Sequence, residues 1–127
     1  MTFAEEDDVF DKIKDYYDEL QFLIDRTKQS IKFKEDERDG VLKNFEGKID
    51  ELKKKKAKPG SLITEDSIRY LELMLQAKEV YYRDYLFRIQ RKFEMTREHI
   101  EGQIEHYKLK LKLLQEKNKR KLGIQDE

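Results

Sequence analysis

The sequence predicts an all-α protein, a long antiparallel two-helix coiled-coil hairpin that oligomerisation completes into a bundle. Of 127 residues, 44% are charged and 37% hydrophobic, whereas an ordinary globular domain has about 25% charged residues. So few apolar residues cannot build the core of a compact globule of this length. The only Pro/Gly/Ser cluster lies at residues 58–61. We therefore expect a single hairpin over residues 1–127, with helix 1 at about 3–57, a turn at 58–63 and helix 2 at about 64–122.

Helix 1 is predicted from alternating apolar spacings of three and four residues, the a/d pattern of a helix that faces a partner helix. Thr2 and Glu5 have the spacing of a capping box at its start. The predicted seam consists of Phe10, Ile13, Tyr17, Leu20, Ile24, Thr27 and Ile31, followed by Leu42, Phe45, Ile49 and Leu52. The eleven-residue step from Ile31 to Leu42 shifts the phase of the pattern. A kink or a break near Gly40 is therefore open, and we favour a continuous helix.

The turn and helix 2 follow from local signals. Pro59 keeps the residue before it out of helical angles, and Gly60 follows directly. Thr64 is a predicted N-cap, and Gly123, after a basic last turn, is the predicted stop. The seam of helix 2 is again spaced by threes and fours, with one shift. Its residues are Ile68, Leu71, Leu75, Lys78, Tyr82, Tyr85 and Ile89, then Phe93, Ile100, Ile104, Tyr107, Leu111 and Leu114.

Charge independently predicts how the helices pair. Residues 5–19 carry a net charge of −6 and residues 108–121 a net charge of +6. An antiparallel hairpin sets these blocks side by side, whereas other alignments abut like charges. The blocks therefore specify orientation more than they stabilise the fold, since an exposed ion pair contributes only about 0–1 kcal/mol.

The apolar surface exceeds what two helices can bury. Between Ile68 and Ile89 the apolar arc covers roughly 260° of helix 2 at 100° per residue. It contains Phe87, Val80, Leu73, Ala77, Tyr70, Tyr81, Met74, Tyr85 and Ile68. The predicted protein-interface residues are Tyr70, Leu73, Met74, Ala77, Tyr81 and Tyr85 on helix 2 and Val9, Tyr16 and Leu23 on helix 1.

Two interpretations of this surface stay open, with a broken three-helix monomer as a third. One is a homodimer that forms a four-helix bundle; the other is docking on another helical protein. Either predicts a non-enzymatic structural or adaptor subunit.

The sequence offers little for catalysis or cofactors. It has no cysteine, two histidines and no glycine-rich phosphate loop. His99 and His106 lie seven residues apart, but the Glu-x-x-His spacing of a bundle metal site is absent because positions 96 and 103 are Thr and Gln. We therefore expect no enzyme activity, no cofactor, no metal and no small-molecule substrate.

Sequence-independent nucleic-acid binding is the alternative function. Five lysines cluster at the hairpin tip, where they could bind a phosphate backbone. They are Lys53, Lys54, Lys55, Lys56 and Lys58. Lysines at such a tip also simply keep a helical hairpin soluble, and no nucleic-acid-binding motif accompanies them.

The sequence also bears on location. The N-terminus is acidic, unlike a secretory signal peptide, and no apolar run approaches the roughly 18 residues that span a bilayer. The expectation is a soluble intracellular protein, cytoplasmic by default, with no membrane partner.

Overall fold

The computed structural model describes residues 3–123. It contains two helices, α1 (Ala4–Lys56) and α2 (Glu65–Lys121). Of the described residues, 91% are helical and none lies in a strand. The predicted all-α helical hairpin is therefore confirmed, and the sequence-based helix ends lie within one residue of the observed ones. Thr2, half of the predicted capping box, lies outside the described residues.

The chain divides into two compact units. The first consists of Met1–Arg26 with Lys92–Glu127, and the second of Thr27–Arg91. In each unit a segment of α1 packs against a segment of α2, as the core of each one shows.

The core of the first unit has a different α1 register from the predicted one. Val9 is 4% exposed, whereas Phe10 and Tyr17 are 51% and 45% exposed. The ring of Tyr16 stacks on that of Tyr107 at 5.7 Å. The assignment of Phe10 and Tyr17 to the seam is therefore wrong, and Val9 and Tyr16 take these places. On the α2 side the prediction is confirmed, because Ile100, Ile104 and Leu111 are buried.

The acidic and basic blocks lie together in this unit, as their charges predict. The side-chain amide of Asn118 donates a hydrogen bond to Glu6 (3.0 Å), and the Lys12 ammonium donates one to the Tyr107 hydroxyl (3.5 Å). The Lys108 ammonium lies 5.4 Å from the centre of the Tyr17 ring. A hydrogen bond with Tyr17 raises the pKa of Lys108.

The second unit shows how α1 passes Gly40 without a break. Its core contains the buried Ile49, Ile68 and Tyr82. In the eleven-residue step between Ile31 and Leu42, the half-buried positions are taken mainly by polar side chains, Lys34 and Arg38 among them. The step is therefore a phase shift filled by long side chains, whose stems cover apolar surface while their charged ends reach water.

The hairpin turn is built by its proline and glycine. The amide of Ser61 donates to the carbonyl of Lys58 (3.3 Å), and Gly60 has a φ of 74°. Proline and glycine at the two central positions, with a positive φ at the second, form a type II turn. The hydroxyl of Thr64 then accepts the amide of Ser67 (3.3 Å), which confirms the predicted N-cap of α2.

At the other end of α2, Gly123 has a φ of 72° and its amide donates to the carbonyl of Arg120 (3.1 Å). This is the predicted glycine stop. Neither helix has an apolar stretch long enough to cross a membrane within residues 3–123.

Candidate protein interface

A second apolar stripe runs along α2 on the side that faces away from α1. Its positions are again spaced three and four residues apart, so they lie on one face of the helix. We call this stripe the outer strip; it consists of Tyr70, Leu73, Ala77, Val80 and Phe87, together with the charged Asp84 between Val80 and Phe87.

The outer strip is exposed along its whole length. Tyr70 and Phe87 are each 64% exposed, Leu73 is 51% exposed and Val80 is 46% exposed. By contrast, Ile68 and Tyr82 on the seam of the same helix are 6% and 4% exposed. Within the second unit, α2 therefore has one apolar face that is covered by α1 and one that is open.

Tyr81 links the outer strip to the seam. Its ring lies edge-on to that of Tyr82 at 5.0 Å and is tilted against that of Tyr85 at 6.1 Å. The Tyr82 ring is buried, whereas Tyr81 remains 49% exposed. Because ring contacts already hold the Tyr81 side chain, it loses little further entropy when a partner covers it.

A polar layer lies between α1 and α2 beneath these rings. The Lys34 ammonium pairs with Glu37 at 3.0 Å and lies 4.4 Å from the centre of the Tyr85 ring. The hydrogen bond to Lys34, followed by one from Tyr82, lowers the pKa of Glu37. Burial, followed by the bond to Glu37, raises the pKa of Tyr82. These contacts fix the tyrosines from the α1 side.

The structure separates the predicted interface residues into two groups. Tyr70, Leu73, Ala77 and Tyr81 are exposed, and Met74 lies half-buried beside them.

The other predicted interface residues contribute to contacts within the chain. Tyr85 is half-buried under Lys34, and Val9 is buried. Tyr16 is half-buried against Tyr107, and Leu23 is half-buried in α1. The predicted interface residues that are exposed therefore all lie on α2.

Two members of the outer strip, Val80 and Phe87, were in the predicted apolar arc but outside the predicted interface set. The signal that identifies them is a second series of three- and four-residue steps, from Tyr70 to Phe87. It overlaps the seam series in the sequence, and the two can be separated only once the face that packs on α1 is known.

The tip lysines lie at the end of α1 and in the turn. Lys55 pairs with Glu51 at 3.0 Å and Lys56 with Glu65 at 2.8 Å. These hydrogen bonds lower the pKa of both glutamates. The cavity at the tip, of about 510 Å³, is lined by three basic and three acidic side chains together with Ala57 and Ile68. Such a balance of charge does not favour a phosphate backbone.

The histidines lie on the surface. His99 and His106 are both exposed, and the ring of His106 lies edge-on to that of its neighbour Tyr107 at 5.1 Å. Over the part of the chain that the structure describes, no three acidic, histidine or cysteine side chains come together as a metal site would need.

Comparisons with protein-family models, curated proteins and solved structures gave no match.

Proposed function

We propose that this protein is a non-enzymatic structural or adaptor subunit that assembles with a helical partner through the outer strip. The observation that supports the proposal is an exposed stripe with three- and four-residue steps, apolar at every position except Asp84, on a helix whose opposite face is already covered. Exposed apolar stripes of this kind mark protein–protein contact sites in soluble proteins.

The spacing favours a helix as the partner. A stripe of threes and fours presents its side chains in the geometry that lets a second helix pack lengthwise, as in coiled coils and bundles. Ala77 lies in the middle of the strip, where its small side chain permits close approach of another helix. Tyrosine and phenylalanine lie on either side, and aromatic residues are enriched in protein interfaces.

Covering the outer strip and Tyr81 contributes favourable free energy to binding. Complete burial of a large apolar side chain contributes about 1.5–3 kcal/mol. Tyr70, Leu73, Val80, Tyr81 and Phe87 are about half exposed or more, so each has about 1 kcal/mol or more to gain when a partner covers it. Five such residues offset a substantial part of the entropy cost of association.

Site-specific photocrosslinking tests the proposal. A photoreactive phenylalanine analogue at Tyr70 should give a covalent adduct of defined mass in the native cell. The same analogue at Leu109, which is 58% exposed on α2 in the first unit, is the matched control and should give little or none.

The adduct should disappear when Leu73→Asp and Val80→Asp are introduced together. Leu109→Asp with Leu113→Asp adds the same charge to equally exposed leucines and should leave the adduct intact. Helicity by circular dichroism should be unchanged in both variants, because all four side chains are on the surface. The absence of any specific adduct at Tyr70 would contradict the proposed function.

A further inference from the structure

We infer that the partner of the outer strip is the outer strip of a second copy of this chain, aligned antiparallel. The inference rests on the proposed function and names its partner. It comes from the charges that bound the strip: Asp66 lies four residues before Tyr70, and Arg91 lies four residues after Phe87. Both side chains are exposed.

These end charges make the strip complementary to itself. In a contact with two-fold symmetry, a residue of one copy that meets a different residue of the other copy does so twice, because the symmetry repeats the pair with the copies exchanged. With the copies antiparallel, Asp66 of each meets Arg91 of the other, and Tyr70 of each meets Phe87 of the other. A single acidic end and a single basic end thus produce two interchain ion pairs.

The centre of this alignment is apolar. Ala77 of each copy meets Val80 of the other, and these two layers lie next to the two-fold axis. The proposed contact, from Asp66 to Arg91, spans 25 residue steps, about 38 Å of helix. That is more than three heptads, about the minimum length of a heptad pattern that indicates a coiled coil.

The remaining layer carries a cost. It places Leu73 opposite Asp84, a carboxylate that lies 3.7 Å from the Arg83 guanidinium of its own chain. Arg88 lies one turn further along the helix from Asp84 and supplies a second cation at the spacing that favours ion pairing. The carboxylate therefore has cations of its own chain that compensate its charge within this layer.

Other alignments of two copies are worse. A parallel pair sets Asp66 against Asp66, Asp84 against Asp84 and Arg91 against Arg91, which gives three layers of like charge. An antiparallel pair shifted by one heptad sets either Asp66 against Asp84 or Arg91 against Leu73. Like charges that face each other oppose association, which disfavours the parallel pair and the shift that sets Asp66 against Asp84. The other shift faces Arg91 with the apolar Leu73 and loses both Asp66–Arg91 pairs, so the alignment centred between Ala77 and Val80 is the one favoured.

Cysteine pairing tests this alignment in the 127-residue chain, which has no cysteine of its own. Asp66→Cys and Arg91→Cys are oxidised separately and as an equal mixture, and non-reducing gels show the products. Antiparallel copies should give a disulfide-linked dimer only in the mixture, with about half of the chains linked if the copies pair at random. Each mixed dimer keeps one native Asp66–Arg91 pair.

Charge reversal provides a second reading that needs no disulfide geometry. Asp66→Arg and Arg91→Asp should each weaken self-association about tenfold, because each sets like charges at both ends of the contact. The double variant that carries both changes should restore association, and circular dichroism should show equal helicity in all forms.

The outcomes separate this inference from the proposed function. Linked dimers of either single-cysteine variant alone, or no rescue by the double reversal, would overturn the antiparallel second copy. Absence of linkage in the mixture together with a Tyr70 adduct to a different protein would overturn the second copy while the proposed function stands. Absence of both linkage and adduct would overturn the two together.

Discussion

The most buried side chain among residues 3–123 provides a direct test of the helix pairing. Ile100 is 2% exposed, and a change to alanine there removes three buried carbon atoms. Ile→Ala changes in cores cost about 2–5 kcal/mol. A contact between only two helices closes partly around the gap, so we expect the low end, about 2–3 kcal/mol.

The assay is urea denaturation followed by circular dichroism at one fixed protein concentration, because association makes stability depend on concentration. Leu109→Ala is the matched control on the same helix. Leu109 is 58% exposed, and alanine favours helix slightly, so its effect should stay within about 0.5 kcal/mol. Equal losses in the two variants would show that Ile100 does not lie in the helix contact.

Three further predictions concern the turn and the polar layer. Gly60→Ala should lower the stability by about 1–2 kcal/mol, because the φ of 74° at Gly60 strains any residue with a side chain. Gly47→Ala, with open space around its added carbon, should instead stabilise α1 by about 0.5–1 kcal/mol. Thermal melting checks both variants, and a change of stability with the same sign in both would refute the turn. Thr64→Ala should cost about 1 kcal/mol in the same assay through loss of the N-cap, and an unchanged melting temperature would show that the cap is not formed. The hydrogen bond to Lys34 is the main cause that lowers the pKa of Glu37 from 4.5, so the contribution of Glu37 to stability is present above pH 4.5 and is lost as the pH falls through its folded pKa. The difference in melting temperature between the wild type and Glu37→Gln should therefore be larger at about pH 6 than at about pH 3. An equal difference at both pH values would contradict the ion pair.

Much of the fold could be predicted from the sequence because its signals are local. Pro59, Gly60 and Thr64 each act through their own backbone or the next turn, and they lie where the turn and cap are observed. The sequence leaves open whether α1 continues through Gly40, because a glycine and a phase shift coincide there. The helix continues, since one glycine costs only about 1 kcal/mol and the flanking helical residues outweigh that cost.

The register of α1 could not be predicted in the same way. Val9 with Tyr16, and Phe10 with Tyr17, both fit steps of three and four residues with Ile13 between them. Which series faces inward depends on where the stripe of α2 lies, and only the packed helices show that Tyr16 meets the Tyr107 ring.

The candidate interface followed partly from the sequence. The surplus of apolar residues on α2 was visible as composition and periodicity, and the exposed Tyr70, Leu73, Ala77 and Tyr81 lie within it. The sequence predicts interface residues on α1 as well, because a stripe wider than one seam resembles an open face. Packing in the first unit uses that width, and Val9 there is buried.

Sedimentation equilibrium of the purified 127-residue chain measures whether the outer strip joins two copies. The chain has a mass of 15.5 kDa. The wild type should approach twice that mass as its concentration rises, whereas the variant with both Leu73→Asp and Val80→Asp should stay at 15.5 kDa with unchanged helicity. A wild type that remains at the mass of one chain at every concentration, or a variant that still doubles its mass, would contradict self-association through the outer strip.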